Sequence, residues 1–155
     1  MRVTSLRTLA LATVLFGAAC NEEPLAINDP DEGVTGTWTF IVDVTVANDA
    51  CEGEEFAPHD TSQVSVVQVG DSVTASGPWG STSGSETLAG NRSGNIVTIS
   101  GAYAEDGGTT IATHTLTVSA GDQQMNGAED WSWIGPNSSS CPAGEAIVTA
   151  TRNPS

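Results

Sequence analysis

"GVTGTWTF", Gly33–Phe40, runs straight into the alternating stretch Ile41–Ala47, and the reading of this segment decides the fold. Trp38, Phe40, Val42, Val44 and Val46 fall on one face; Thr37, Thr39, Asp43 and Thr45 fall on the other, with Ile41 the exception. A period of two is the mark of a strand with one buried face, because successive side chains point to opposite sides of the backbone. Working outward, no helical period follows. Short runs rich in Val, Thr and Ile recur at Gln63–Val69, Ser72–Ala75, Ser85–Ala89, Ile96–Tyr103, Thr109–Val118, Met125–Trp133 and Ala146–Arg152, which with the first run makes eight strands. Turn signals separate them at Val69-Gly70-Asp71, Asn91-Arg92-Ser93-Gly94-Asn95, Asp106-Gly107-Gly108 and Ala120-Gly121-Asp122. Connections this short make neighbours antiparallel, so the expectation is an all-β, up-and-down sheet.

Two cysteines decide between sandwich and barrel. In an immunoglobulin-type sandwich the paired cysteines lie within core-facing strands. Here Cys51 stands in "ANDACEGEEF" and Cys141 in "GPNSSSCPAGE", both read as polar loops enclosing nearly the whole domain. A bridge between them joins the loop after the first strand to the loop before the last. Those loops adjoin when the first and last strands are neighbours, as in an eight-stranded closed barrel. Trp38 lies 13 residues before Cys51, and Arg152 lies 11 after Cys141. With the first and last strands side by side, Trp38 and Arg152 meet at the end away from the cysteines. A guanidinium over an indole is worth about 1–2 kcal/mol when partly desolvated.

Gly36-x-Trp38 opening the first strand and Arg152 closing the last resemble the lipocalins and the wider calycin group of eight-stranded barrels. The resemblance implies that Trp38 and Arg152 stack to close one end, with Gly36 leaving room beside them. It spans roughly Gly33 to Arg152 in layout. Two features of lipocalins are missing: a Thr-Asp-Tyr-like loop motif and a helix after the barrel. The expected fold is therefore a pared-down, lipocalin-like barrel over residues 34–152, without a C-terminal helix.

The opening "MRVTSLRTLALATVLFGAAC" sets two arginines before an apolar stretch, Leu9–Phe16, and small residues ending at Cys20. That is the layout of a secretory signal, too short to span a bilayer as a permanent helix. The small residues before Cys20 resemble the lipobox of bacterial lipoproteins, in which the cysteine becomes the lipidated first residue. Gly17 stands where that family usually has leucine, with Phe16 one place earlier. Residues 1–19 then form the signal peptide, and residues 20–33, rich in acids and carrying two prolines, an acidic tether. Asn21 is not the aspartate associated with inner-membrane retention, so the expected location is the bacterial cell envelope, lipid-anchored at the outer membrane. Removing Cys20 from the count leaves Cys51 and Cys141 as an even pair suited to an oxidising compartment.

Without the signal the chain has 155 − 19 = 136 residues, enough for one domain. Arg92 and Arg152 then face 19 acidic residues, a formal charge of 2 − 19 = −17, and there is no lysine. Such a surface repels nucleic acid and anionic headgroups, so no nucleic-acid partner is expected and membrane contact is through the N-terminal lipid only.

Alternation assigns inward sets: Val97, Ile99 and Tyr103; His114, Leu116 and Val118; Met125, Glu129, Trp131 and Trp133. Trp79, in the turn-like "SGPWGS", is placed as a cap on an open end. An eight-stranded barrel either fills with side chains or holds one small ligand. Aromatic side chains near a mouth suit apolar or ring-bearing ligands. The candidate ligand-binding residues are Trp79, Tyr103, His114, Glu129, Trp131 and Trp133. His114 and Glu129 stand out as polar groups on an apolar face, read either as a polar ligand contact or as a bonded core histidine beside a glutamate at a wet rim. Glu52, Glu54, Glu55, His59 and Asp60 crowd one loop, but their spacing fits neither an EF-hand nor a zinc site, and no metal or cofactor is expected. No nucleophile elbow, His-Glu-x-x-His or phosphate loop is found, so no enzymatic activity is expected. The expected function is a membrane-anchored lipoprotein binding a small apolar or amphipathic ligand in the barrel. The alternative is a filled barrel that binds a protein partner through its loops, in the manner of small protease inhibitors.

Overall fold

The alternation of Gly36–Ala47 recurs in seven further segments, and in each the apolar phase turns inward. In this computed structural model, which describes residues 33–47, 60–80, 84–136 and 140–154, they form eight strands. The first four are β1 (Gly36–Ala47), β2 (Asp60–Val69), β3 (Ser72–Gly77) and β4 (Glu86–Ser93). Then follow β5 (Ile96–Glu105), β6 (Gly108–Val118), β7 (Gln124–Ile134) and β8 (Ser140–Arg152). Each pairs antiparallel with its neighbours in sequence order, and β1 also pairs with β8, closing the barrel. The all-β, up-and-down, eight-stranded barrel expected from the sequence is what the chain forms.

Closure removes sheet edges, so every strand is read from both sides and only its inward face is dry. Trp38, Phe40, Val64, Val73, Leu88, Val97, Ile99, Leu116, Met125 and Val148 form the buried core. The outer wall is mostly hydroxyl-bearing: Thr61, Ser65, Thr74, Thr98, Thr115 and Thr117 are exposed.

Most strands run past the bounds read from the sequence, β2 from Asp60 and β5 to Glu105 among them, and three departures have a local reason. Strand β8 starts at Ser140, so Cys141 lies within a strand and is fully buried, not in a polar loop. Its register slips between Trp131 and Trp133, where Trp131 faces Gly144 and Trp133 faces Cys141. Pro142 falls in that slip, where a missing N–H breaks no ladder bond. A second slip lies between Val44 and Val46 of β1, and it turns Val46 outward to 50% exposure rather than into the core. Residues 91–93 belong to β4, and the turn contracts to Gly94 and Asn95.

An up-and-down barrel gives each end a distinct set of connections. The β2–β3, β4–β5 and β6–β7 turns share one end with the start of β1 and the finish of β8. At this latch end Trp38 and Arg152 are direct register partners, and the Arg152 guanidinium carbon sits 5.1 Å from the indole centroid. The Trp38 indole N–H donates to the Val34 carbonyl at 2.8 Å, and Val34, itself fully buried, plugs the bottom of the barrel. Arg152 donates to the Gly33 carbonyl. Gly36 has a different reason than the one expected. A Cβ there would meet Arg152 Nε at an ordinary 3.6 Å, whereas its φ of +151° is what disfavours other residues. The remaining connections gather at the opposite, aromatic end. The expected signal peptide, Cys20, nearly all of the expected tether, Cys51 and the Glu52–His59 segment lie outside the described residues.

Candidate functional site

Strands β6 and β7 place His114 and Glu129 directly opposite each other, both in the inward phase. The pair is deeply buried, His114 being 1% exposed and Glu129 2%. Glu129 is thus no rim residue. His114 Nδ1 stands 3.9 Å from Glu129 Oε2, too far for a hydrogen bond. Neither ring nitrogen of His114 has a hydrogen-bond partner, and neither does Glu129 Oε2. The bonded core histidine, one of the two readings the sequence left open, is therefore not what forms. Glu129 Oε1 accepts from the Tyr103 hydroxyl across the barrel at 3.4 Å.

Burial sets the protonation of this cluster. Desolvation lowers His114 to about 4, so the imidazole is neutral at neutral pH. Desolvation, then the nearby Glu105 charge, raises Glu129 to about 7. Burial and the Glu129 charge together push the Tyr103 phenol up, leaving it a firm proton donor. Glu105, half-buried at the end of β5, is also raised by burial, against the bond it accepts from Thr110.

Aromatic rings enclose this polar knot. Trp79, in the β3–β4 connection, turns into the barrel and is buried, 5.3 Å by ring centroid from both Phe40 and His114. It stacks on Tyr103 at 6.5 Å with a 28° interplanar angle. Its seat follows from Ser62, whose hydroxyl donates to the Pro78 carbonyl at 2.6 Å and holds the β3–β4 connection inward. The Trp133 indole donates to the Glu105 carbonyl at 3.0 Å, tying β7 to the β5–β6 turn. Trp131 lies flat over Gly144, where an added Cβ would come within 2.1 Å of the indole.

All six residues singled out from the sequence as ligand contacts therefore lie buried towards one end of the barrel. Five participants were missed: Phe40 as a ring of the site, Thr110, Glu105, Ser62 and Asp60. Glu105 shares the phase of Tyr103, and Ser62 that of Val64. Extending the fifth strand by two residues and the second by three would have found Glu105, Ser62 and Asp60.

Chemically the site offers two acidic hydrogen-bonding groups, Glu129 and Tyr103, and a neutral imidazole with one N–H and one bare nitrogen. It lacks a nucleophile aligned with a base. No family model, curated protein or solved structure matches this chain.

Proposed function

We propose that this protein is an envelope lipoprotein, lipid-anchored through Cys20, that holds a small amphipathic ligand at the aromatic end of a lipocalin-like barrel. The ligand's ring or chain packs among Trp79, Tyr103, Trp131 and Trp133, and its polar head meets His114 and Glu129. One observation carries the reading: His114 and Glu129 are almost fully buried, yet three of their four polar atoms have no protein partner. Leaving a buried polar group unsatisfied costs about 1–3 kcal/mol, so such groups are rare where nothing uses them.

Further features support it. The apolar faces point inward and hydroxyls point outward, the reverse of a lipid-spanning barrel, which suits a barrel attached by a lipid rather than embedded. Ala47, the last residue of β1 and four residues before Cys51 in sequence, pairs with Gly144, three residues after Cys141. A disulfide there would frame the mouth of the site.

The seat of Trp79 favours a second reading, in which the indole itself fills the aromatic end and the loops bind a protein. Native mass spectrometry of lipidated protein from its own host, followed by organic extraction, separates the two. The carrier reading expects one small molecule bound reproducibly and released on unfolding. A barrel that emerges without an adduct in every preparation, and whose tryptophan fluorescence ignores its host's small-molecule extract, sinks it.

A further inference from the structure

The charges of this barrel are sorted by end. Arg92 and Arg152 are the only lysine or arginine side chains among the described residues, and both lie at the latch end. Arg92 is committed to Asp122 at 3.1 Å, and Arg152 to Trp38 and Gly33. The aromatic end holds Glu129 from β7, Glu105 from β5 and Asp60 from β2, with Asp130 beside Glu129 in sequence. Facing Glu129 are His114 from β6, which is neutral, and the Tyr103 phenol from β5. Among the described residues nothing cationic offsets these acids, and low-dielectric walls focus their field into the barrel. Around them stand Phe40, Trp79 and Tyr103, whose ring faces are themselves electron-rich.

An anionic head would add like charge to this end. A neutral head would satisfy His114 and leave the carboxylates uncompensated. A cation compensates the carboxylates and still engages His114, because an ammonium N–H can donate to Glu129 Oε2 and another to the bare imidazole nitrogen. We propose that the aromatic end selects an organic cation, a ring-bearing primary ammonium seated on Glu129 and His114 among the aromatic side chains. This rests on the aromatic end being a ligand site, as proposed above. Binding is proton-coupled: the Glu129 carboxylic acid gives its proton to solvent, and the resulting carboxylate pairs with the ammonium. An alkyl ammonium stays protonated across the pH range concerned.

The test uses the full chain in detergent with three shape-matched probes: 2-phenylethylammonium, 2-phenylethanol and 3-phenylpropionate. Titration calorimetry at pH 6 and pH 8, in buffers of different ionisation enthalpy, reads affinity and proton release together. The ammonium is expected to bind at least about tenfold tighter than the alcohol, and the propionate not to bind. With Glu129 at about 7 in the free protein, the ammonium binds about tenfold tighter at pH 8 than at pH 6. About one proton is released at pH 6 and about a tenth of one at pH 8. Glu129→Gln removes both the preference and the pH dependence. The proton count on the unmodified protein stands as an independent readout should that variant fold poorly. An alcohol that binds as well as the ammonium, or ammonium binding without proton release at pH 6, overturns the cation assignment and leaves the ligand site standing. No binding by any probe overturns both.

Discussion

The two ends of the barrel share a design, a tryptophan set among buried apolar side chains with ionisable groups beside it, and differ in what those groups bond to. At the latch end the chain bonds to itself. The Trp38 indole donates to the Val34 carbonyl, Val34 N–H to Gln68 Oε1, and Asn153 N–H to the Thr37 carbonyl at 2.8 Å. Among the described residues there, only Arg152 Nε is left over, on a group already bonded through Nη2 and stacked on a ring. At the aromatic end the chain leaves His114 Nδ1, His114 Nε2 and Glu129 Oε2 unbonded in a drier setting. Polar satisfaction at one end and its lack at the other set the two ends apart, and the unsatisfied end is the one proposed to hold a ligand.

The largest expected effect breaks the comparison at its structural end. Trp38→Ala removes a fully buried indole, its bond to Val34 and the seat of Arg152. Losses of about 3–5 kcal/mol are usual for such a truncation, read as a lower urea midpoint. Ligand affinity of the protein that remains folded should stay within about twofold, since the sites lie at opposite ends. A variant that kept its stability but lost binding would mean that the ends have been assigned the wrong way round.

The next effect concerns the aromatic end as a frame. If Cys51 and Cys141 are bridged, the bond closes a loop of about 90 residues. That is worth roughly 4–5 kcal/mol in the chain-entropy treatment and commonly 2–4 kcal/mol in practice. Non-reducing peptide mapping should find the two cysteines in one linked fragment, and reduction should lower the thermal midpoint. Two separate thiol peptides would remove the frame, while Trp38 and Arg152 would still close the opposite end.

How much of this was legible in the residues follows from what each signal depends on. Period-two alternation depends only on which side of a strand a residue lies, so the strands and their inward sets, including His114 and Glu129, were readable. The Trp38–Arg152 pairing was readable because it follows from first and last strands lying side by side. The register slips were not, because a bulge leaves no compositional mark: Val46 and Pro142 look like any strand valine and any loop proline. The depth of Trp79 was not readable for a related reason. Its inward seat is set by Ser62, whose hydroxyl bonds to the Pro78 carbonyl 16 residues away, and not by any pattern around "SGPWGS". That His114 and Glu129 stand 3.9 Å apart and do not bond is a matter of side-chain geometry, beyond any periodicity.

The smallest effect sharpens the comparison most. Glu129 titrates at about 7 in the fold against 4.5 ordinarily, so the unfolded chain loses its proton first. Between those values stability falls as pH rises, by about 1.4 kcal/mol per unit, and above 7 the loss stops growing. His114 titrates at about 4 against 6.5, so the unfolded chain takes up a proton first as pH falls. Its contribution is intact above 6.5 and is lost on acidification towards 4. From 4.5 to 6.5 the two slopes oppose and largely cancel, so their effects emerge only when one group is removed. Glu129→Gln should gain on the unmodified protein as pH rises from 4.5 to 7, reaching about 2–3 kcal/mol. His114→Leu should gain as pH falls from 6.5 to 4, by a similar amount. Thermal midpoints measured across pH 4–8 give both difference curves, and Trp38→Ala provides the contrast, since its deficit should not vary with pH through these groups. Flat curves for both aromatic-end variants would mean that His114 and Glu129 are reached by water, and the distinction between the two ends would fall with them.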